Sequence, residues 1–216
     1  MAKGTGSQSG GPGGGRPARA KQVAGGGRGS FLDMGDNDYS TDAQMYKAHS
    51  IQVIDKHLTT SERESLKAFT GSTYTSINDF LRTGKTSTFH QDSINNYIKG
   101  LDSAFSKPAV KLPRNTVLYR KVGAGHPIWK DLQSGNLQIG KVYQDKGYQS
   151  TSVRKDVWWG EVTFRIRAKK GAKALHVESL SAHKPEKETL LPRDAKFKVK
   201  SFEYKHGLLF VDVDYL

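Results

Sequence analysis

Apolar residues fall at helical intervals in the first half of the chain and at strand intervals in the second, with the change between residues 106 and 113. From about Asp42, the residues Met45, His49, Val53, Ile54 and Leu58 recur at three- and four-residue steps, the spacing of one face of an α-helix. Thr59, Thr60 and Ser61 then precede Glu62 and Glu64. A side-chain oxygen followed by carboxylates in the next turn predicts the start of a second helix, with Leu66 and Phe69 on its buried face and Gly71-Ser72 at its end. Tyr74, Ile77, Phe80 and Leu81 give a third run that stops near Gly84, and Ile94, Tyr97, Ile98, Leu101 and Phe105 a fourth that stops before Pro108. Residues 42–106 are therefore predicted to form a helical lobe.

Short runs with strand character follow. They lie in Pro113 to Val122, around Val142-Tyr143 and Tyr148 to Ser152, and in Glu161 to Arg167, where Val162, Phe164 and Ile166 alternate with Thr163, Arg165 and Arg167. Further strands are predicted at Ala174 to Val177, Thr189 to Leu191, Phe197 to Phe202 and Leu208 to Val213. The expected class is α+β: an N-terminal helical lobe packed on a mainly antiparallel β core of two sheets, the core covering residues 113–216.

Composition adds a preceding segment. Residues 1–30 hold eleven glycines, five basic residues and no acidic ones. Such a segment buries too little apolar surface to offset its ordering entropy, so residues 1–35 are expected to be a flexible basic arm and residues 36–216 the folded domain. Gly10 to Arg16 is no phosphate-binding loop, because the Gly-Lys-Ser/Thr ending is missing.

The chain has no cysteine, and its seven histidines show no paired ligand spacing, so no metal is expected. No apolar run reaches the roughly 20 residues of a membrane span, and no secretory h-region is seen at the N-terminus. The expectation is a protein that acts in a cytoplasm without a membrane partner. The net charge of +13 suits an anionic dinucleotide, an acidic protein or a nucleic acid, and charge alone does not choose among them.

The stretch Lys184-Pro185-Glu186-Lys187-Glu188-Thr189-Leu190-Leu191-Pro192 offers chemistry. If it is extended, Glu186 and Glu188 share one face and Lys187 the other. A fixed carboxylate beside an anomeric carbon stabilises the positive charge that builds when a ribosyl bond breaks, and a second one orients a nucleophile and accepts its proton. The same alternation also fits a solvated edge strand, in which case the chain is a basic binding module.

Five separate stretches decide between these. Leu118-Tyr119-Arg120, Ser150-Thr151-Ser152 behind an aromatic, and Glu186-Lys187-Glu188 resemble, in order and spacing, the motifs of the arginine-serine-glutamate class of mono-ADP-ribosyltransferases, especially the binary-toxin, C3-like and phage enzymes. The helical lobe is similar as well, in Phe69 to Ser72 and Ile77 to Arg82, and Phe164-Arg165-Ile166 before Lys170-Gly171 resembles the family's arginine-bearing strand. The resemblance covers about residues 45–214.

The resemblance implies NAD as co-substrate and assigns residues to it. Arg120 binds the pyrophosphate, with Arg82 and Arg165 as helpers; Asn78 touches the nucleotide. Ser150 hydrogen-bonds the catalytic glutamate, Thr151 beside it belongs to the NAD site, and the main chain at Lys121 meets the nicotinamide amide. Trp158, in the loop from Val153 to Gly160, covers the nicotinamide. Glu188 is the catalytic glutamate and Glu186 positions the acceptor. A glutamate at that place accompanies arginine as acceptor in this family, so protein arginine is the implied target. His183 stands where relatives carry Phe or Tyr. Nucleic acid as acceptor, reached through the basic arm, and water as acceptor in a NAD glycohydrolase remain open. A chain without translocation domain or signal suits a phage enzyme, packaged or made in the infected cell, or a delivered toxin domain.

Overall fold

In the computed structural model, which describes residues 30–34, 41–85 and 91–216, four α-helices precede the first strand. They are α1 (Thr41–His57), α2 (Thr60–Ala68), α3 (Tyr74–Thr83) and α4 (Gln91–Ser106). The glycine-rich arm lies outside the described residues except for its end, residues 30–34.

The capping signal before α2 forms as the sequence predicts. Thr59 Oγ1 accepts from the Glu62 amide at 3.3 Å while Glu62 Oε2 accepts from the Thr59 amide at 2.8 Å. Glu62 also ties α2 to α4, its Oε1 accepting from Ser103 Oγ at 2.6 Å and from Lys107 Nζ at 3.1 Å. Two helical details differ from the pattern. The chain does not stop at Gly71-Ser72: Phe69–Thr73 makes a π-helical turn, Gly71 leaves helical geometry at φ −96°, ψ −127°, and α3 follows directly around that kink. In the first turns of α1 the buried positions are shifted by one residue, with Tyr46 and Ser50 inside and Met45 outside, while Val53, Ile54 and Leu58 are buried as the pattern predicts. Tyr46 goes inward because its hydroxyl finds a buried partner, Thr189 Oγ1, at 3.2 Å.

Eight strands follow: β1 (Thr116–Val122), β2 (Val142–Gln144), β3 (Gln149–Ser152), β4 (Val162–Ala168), β5 (Leu175–His176), β6 (Glu188–Leu191), β7 (Lys196–Lys205) and β8 (Leu208–Tyr215). A short helix, α5 (Pro127–Gln133), lies between β1 and β2 and shows no periodicity in the sequence because it lasts only 7 residues. The strands form one ladder in the order β2-β7-β8-β4-β1-β3-β6-β5 rather than two separate sheets. All pairs are antiparallel except β4 with β8. The ladder is nearly cut at one place: β1 and β3 share the single registered pair Tyr119↔Ser152, whereas β1 and β4 stay in register from Thr116↔Ala168 to Val122↔Val162. The expected second sheet is thus a wing, β3-β6-β5, joined at that hinge.

Two cores explain the division. One packs Leu118, Ile166, Val199, Val213 and Leu191; the other packs Leu66, Ile77 and Leu101 of the helical lobe with Tyr148, Leu175 and Leu190. Neighbouring β6 residues Leu190 and Leu191 enter different cores, so the wing is covered on both faces and every residue of β6 is buried. Glu188 heads this strand. Residues 30–34 run beside β1, with Leu32 bridging Thr116 and Met34 in the first core.

Helices α2 and α4 touch where Gly100 has no side chain. A Cβ built there falls 2.0 Å from Ser65 Oγ and 2.8 Å from Ser65 Cβ. Gly100→Ala is expected to destabilise the domain by about 1–3 kcal/mol, read as a lower denaturant midpoint, and a second change Ser65→Gly is expected to recover part of it. An unchanged midpoint in the single variant would show that the two helices separate freely.

Candidate active site

The cleft lies where the helical lobe meets the hinge between β1 and the wing. It has a volume of about 470 Å³, and Phe69, Thr70 and Tyr74 form its helical wall. Of the residues singled out by sequence, Asn78, Arg82, Arg120 and Lys121 line it together with Ser150, Trp158, Glu186 and Glu188.

Arg120 sits on β1 beside Phe164 of β4, while its neighbour Tyr119 pairs with Arg165. Strand alternation therefore puts Arg120 and Arg165 on opposite faces. Arg120 Nη1 donates to the Ser150 carbonyl at 2.7 Å, which fixes the guanidinium against β3. Arg165 instead faces away from the cleft, near Asp33 at 3.5 Å and Asp212 at 3.6 Å. Asp33 also accepts from Tyr119 Oη at 2.8 Å, so Arg165 helps hold residues 30–34 on the back of the sheet. Thr151 likewise points away from the cleft: it is fully buried, and its hydroxyl donates to the Thr189 carbonyl within the β3 and β6 pair.

Helix α3 is docked onto the turn before β3 by two side chains. The Asn78 amide donates to the Tyr148 carbonyl at 3.1 Å and accepts from the Tyr148 amide at 2.8 Å, as a strand neighbour would. Arg82 makes a two-pronged pair with Asp145, at 2.9 and 2.8 Å. Gly147 makes the approach feasible, since a Cβ there would lie 2.6 Å from Asn78 Oδ1. Burial opposes the Asp145 charge, but Arg82 and the Gly147 amide outweigh it and hold the carboxyl below its usual range. Asp145 was not singled out by sequence, because its partner is 63 residues away and nothing local marks the pair.

A second cavity of about 650 Å³ adjoins the first across Arg82 and Arg120 and reaches His126, Tyr143 and Phe164. Burial, and then the charge of Arg120, push the His126 imidazole down to about 4, so it is neutral at neutral pH. Its Nδ1 accepts the Ile128 amide at 3.2 Å and caps α5.

The two glutamates are mounted differently from the extended pattern. Lys184–Glu186 is a 3₁₀ turn, Lys187 is left-handed at φ 49°, ψ 44°, and only Glu188 belongs to the strand. Both still reach the cleft, because the left-handed residue turns the chain back on itself. Glu188 is 4 % exposed, with the Ser150 hydroxyl as a polar neighbour that favours its charge. Burial pushes its carboxyl up to about 7; Glu186 adds to the rise, while Ser150, Arg120 and His183 oppose it. Arg120 is pulled down to about 10, chiefly by burial, and keeps its charge. Glu186 is half-buried at the rim, its carbonyl accepting from Ser152 Oγ at 2.6 Å. Two guanidinium groups suit a pyrophosphate, and a buried carboxylate with a serine suits a ribose hydroxyl beside a developing cation. Among the described residues no group of three or more histidines or carboxylates is arranged to hold a metal.

The profile of the ADP-ribosyltransferase exoenzyme family matches residues 43–212. The chain belongs to this family. Solved ADP-ribosyltransferases share the fold. The toxin component BECa of the Clostridium perfringens binary enterotoxin, solved with NADH, has a TM-score of 0.72 at 19% identity over 86% of this chain and 50% of its own. The chain thus spans half of that component. The Clostridium limosum C3 exoenzyme gives 0.70 at 22% identity over 87% of this chain and 98% of its own. The Plx2a toxin of Paenibacillus larvae gives 0.71 at 21% identity, over 86% and 100%. Among curated protein sequences none matches. NAD is the co-substrate of ADP-ribosyltransferases, and the cleft's donor set fits it.

The raised Glu188 carboxyl has a measurable cost in stability. Between pH 4.5 and about 7 the folded protein holds a proton that the unfolded chain releases, so the group weakens the fold increasingly as pH rises through that window. Glu188→Gln is expected to stabilise the protein by about 1–3 kcal/mol at pH 8, with the gain fading to nothing near pH 4. Thermal unfolding at several pH values measures this; a gain independent of pH would contradict the assigned shift.

Proposed function

We propose that the protein transfers ADP-ribose from NAD to arginine side chains of target proteins and releases nicotinamide. The observation that carries this reading is the pair of carboxylates opening on one cleft in different settings: Glu188 buried against Ser150 beside Arg120, and Glu186 at the rim. In this reading Arg120 and Arg82 grip the pyrophosphate. Asn78, whose amide is committed to Tyr148, packs against the nucleotide, while the Lys121 main chain and Trp158 meet the nicotinamide. Thr151 acts from beneath by joining β3 to β6.

Glu188, ionised, accepts the ribose 2′-hydroxyl and faces the positive charge that builds as the bond to nicotinamide breaks. The nicotinamide nitrogen leaves with the electron pair. The acceptor nitrogen forms the new bond from the opposite face, and Glu186 takes its proton. A carboxylate at the rim favours a guanidinium acceptor, which it pairs with two-pronged. The proposal includes a catalytic domain over residues 36–216 with residues 30–34 packed against it, and action on proteins in the cytosol of a target cell. The likeness to toxin components supports that setting.

The test is transfer of label from adenylate-labelled NAD to lysate proteins, with mass-spectrometric mapping of the modified residue. Glu188→Ala is expected to lower labelling and nicotinamide release about 100-fold or more. Glu186→Gln should lower labelling about 100-fold while nicotinamide release stays within about tenfold. Label that maps to a residue other than arginine rejects the acceptor assignment; label removed by nuclease and not by protease moves the acceptor to nucleic acid, as the charge of +13 alone permits. Nicotinamide release without labelled macromolecules makes the protein a glycohydrolase.

The pH profile gives a separate check. With Glu188 near 7 and needed as the anion, kcat/KM for nicotinamide release is expected to rise with pH and bend near 7. Glu186→Gln removes a charge that raises Glu188, so the bend should move to lower pH. A bend that stays in place would separate the two carboxylates.

A further inference from the structure

A buried ion cluster underlies the loop that carries Glu186. Glu178, 5 % exposed, lies just past β5, and its Oε1 accepts from two lysines at 2.8 Å each: Lys47 of α1 and Lys187. Its Oε2 lies 3.1 Å from His176 Nε2. His176 Nδ1 in turn lies 3.1 Å from Thr189 Oγ1, which also contacts Tyr46 Oη. The pattern that gives every acceptor a donor has Nε2–H pointing to Glu178. His176 first, then Lys187 and Lys47, hold the Glu178 carboxyl far below its usual range against the burial that opposes its charge.

Glu178 and Lys187 stand at the two ends of the loop, and the ion pair between them closes its neck alongside the Val177 amide to Glu188 carbonyl bond of 2.9 Å. Between them Ala182 to Pro185 are exposed. Lys187 is also the residue held left-handed, a conformation that disfavours a side chain with a Cβ, and it separates the two glutamates. Its side chain is drawn beneath the loop toward Glu178, which leaves the neighbouring carboxylates facing the cleft. Glu188 has independent support, through its register with Ser152 and the strand bonds of β6. Glu186 has less: its carbonyl takes one bond from β3, from Ser152 Oγ at 2.6 Å, but its amide bonds only within the turn, to the His183 carbonyl at 3.0 Å, as the Lys187 amide does to Lys184 at 3.1 Å.

We propose that Glu178 is a positioning residue which, through its ion pair with Lys187, sets Glu186 at the acceptor side of the cleft and so governs how ADP-ribose is divided between an acceptor and water. The proposal rests on the function given above. It makes the clamp matter for acceptor attack and not for the breaking of the bond to nicotinamide, because only Glu186 depends on the turn.

The experiment compares wild type with Lys187→Met, Lys187→Arg and Lys47→Met, each first shown folded by circular dichroism. It reads nicotinamide release from NAD, transfer to lysate protein, and hydrogen exchange at the Glu186 and Lys187 amides. Lys187→Met is expected to keep nicotinamide release within about twofold, to lower transfer about tenfold, and to speed exchange at both amides. Lys187→Arg, which can still pair with Glu178, should restore transfer and protection. Lys47→Met removes an equal charge from Glu178 without touching the loop and should leave the ratio of transfer to hydrolysis unchanged. Equal loss of both activities in folded Lys187→Met, an unchanged ratio there, or an equal shift of the ratio in Lys47→Met each overturns the clamp. Wild type that releases no nicotinamide overturns the proposed function, and exchange alone then decides the clamp, faster exchange in Lys187→Met upholding it and unchanged exchange rejecting it.

Discussion

A carboxylate at the head of a strand covered on both faces is the constraint to which the rest of the site answers. Burying a charge is costly unless it is bonded and paired, and each neighbour of Glu188 reduces that cost by one route. The neighbouring Ser150 hydroxyl favours the anion, and Arg120 supplies positive charge. Their help falls short of the burial and of the like charge on Glu186, so the carboxyl remains raised, to about 7. A group so poised gains most when positive charge develops beside it, because little water is present to compete. The site is thus held in a less stable state than a neutral residue would give, a common arrangement where charge must be stabilised on demand.

Support for that carboxylate comes from the near-break in the sheet. With only one registered pair between β1 and β3, the wing β3-β6-β5 diverges from the long ladder, and the gap beside the hinge admits the arginine of β1, the serine of β3 and the glutamate of β6 to one space. The Arg120 bond to the Ser150 carbonyl spans this hinge. Helix α3 completes the wall, positioned by Asn78 and Arg82 on the turn before β3. Residues from four separate parts of the chain therefore depend on two local features, a short strand pairing and a glycine at 147 that lets α3 approach.

The sequence carries the fold class, the positions of the strands along the chain, the Thr59 cap and most of the residues that meet at the cleft, because each has a local signature: a period, a cap, a motif. It misplaced what depends on long-range partners. Arg165 lies within a motif-like stretch but on the wrong side of its strand, a fact set by pairing with Tyr119. Met45 and Tyr46 exchanged places because a hydroxyl 143 residues away accepts the tyrosine. The extended reading of Glu186 to Glu188 reached the same shared cleft by another backbone path, since alternation and a left-handed residue both turn i and i+2 to one side. Asp145 and Glu178 left no trace in the sequence, being carboxylates whose lysine and arginine partners lie elsewhere in the chain.

The different mounts of the two glutamates follow from what each must do. Charge developing at a fixed ribose calls for a carboxylate with little freedom, and a strand bonded on both sides holds Glu188 with the stiffness of the whole wing. An acceptor arrives from outside in varied shapes, and a turn at the rim lets Glu186 meet it without disturbing the ladder behind. A turn is a weaker support, however, because apart from the Ser152 bond to the Glu186 carbonyl its backbone bonds are local, and exposed loops open easily. An ion pair placed beneath the turn, at a buried carboxylate shared with α1 and β5, adds rigidity where the ladder ends and leaves the outer surface of the loop free. One residue, Lys187, joins the rigid mount to the adaptable one.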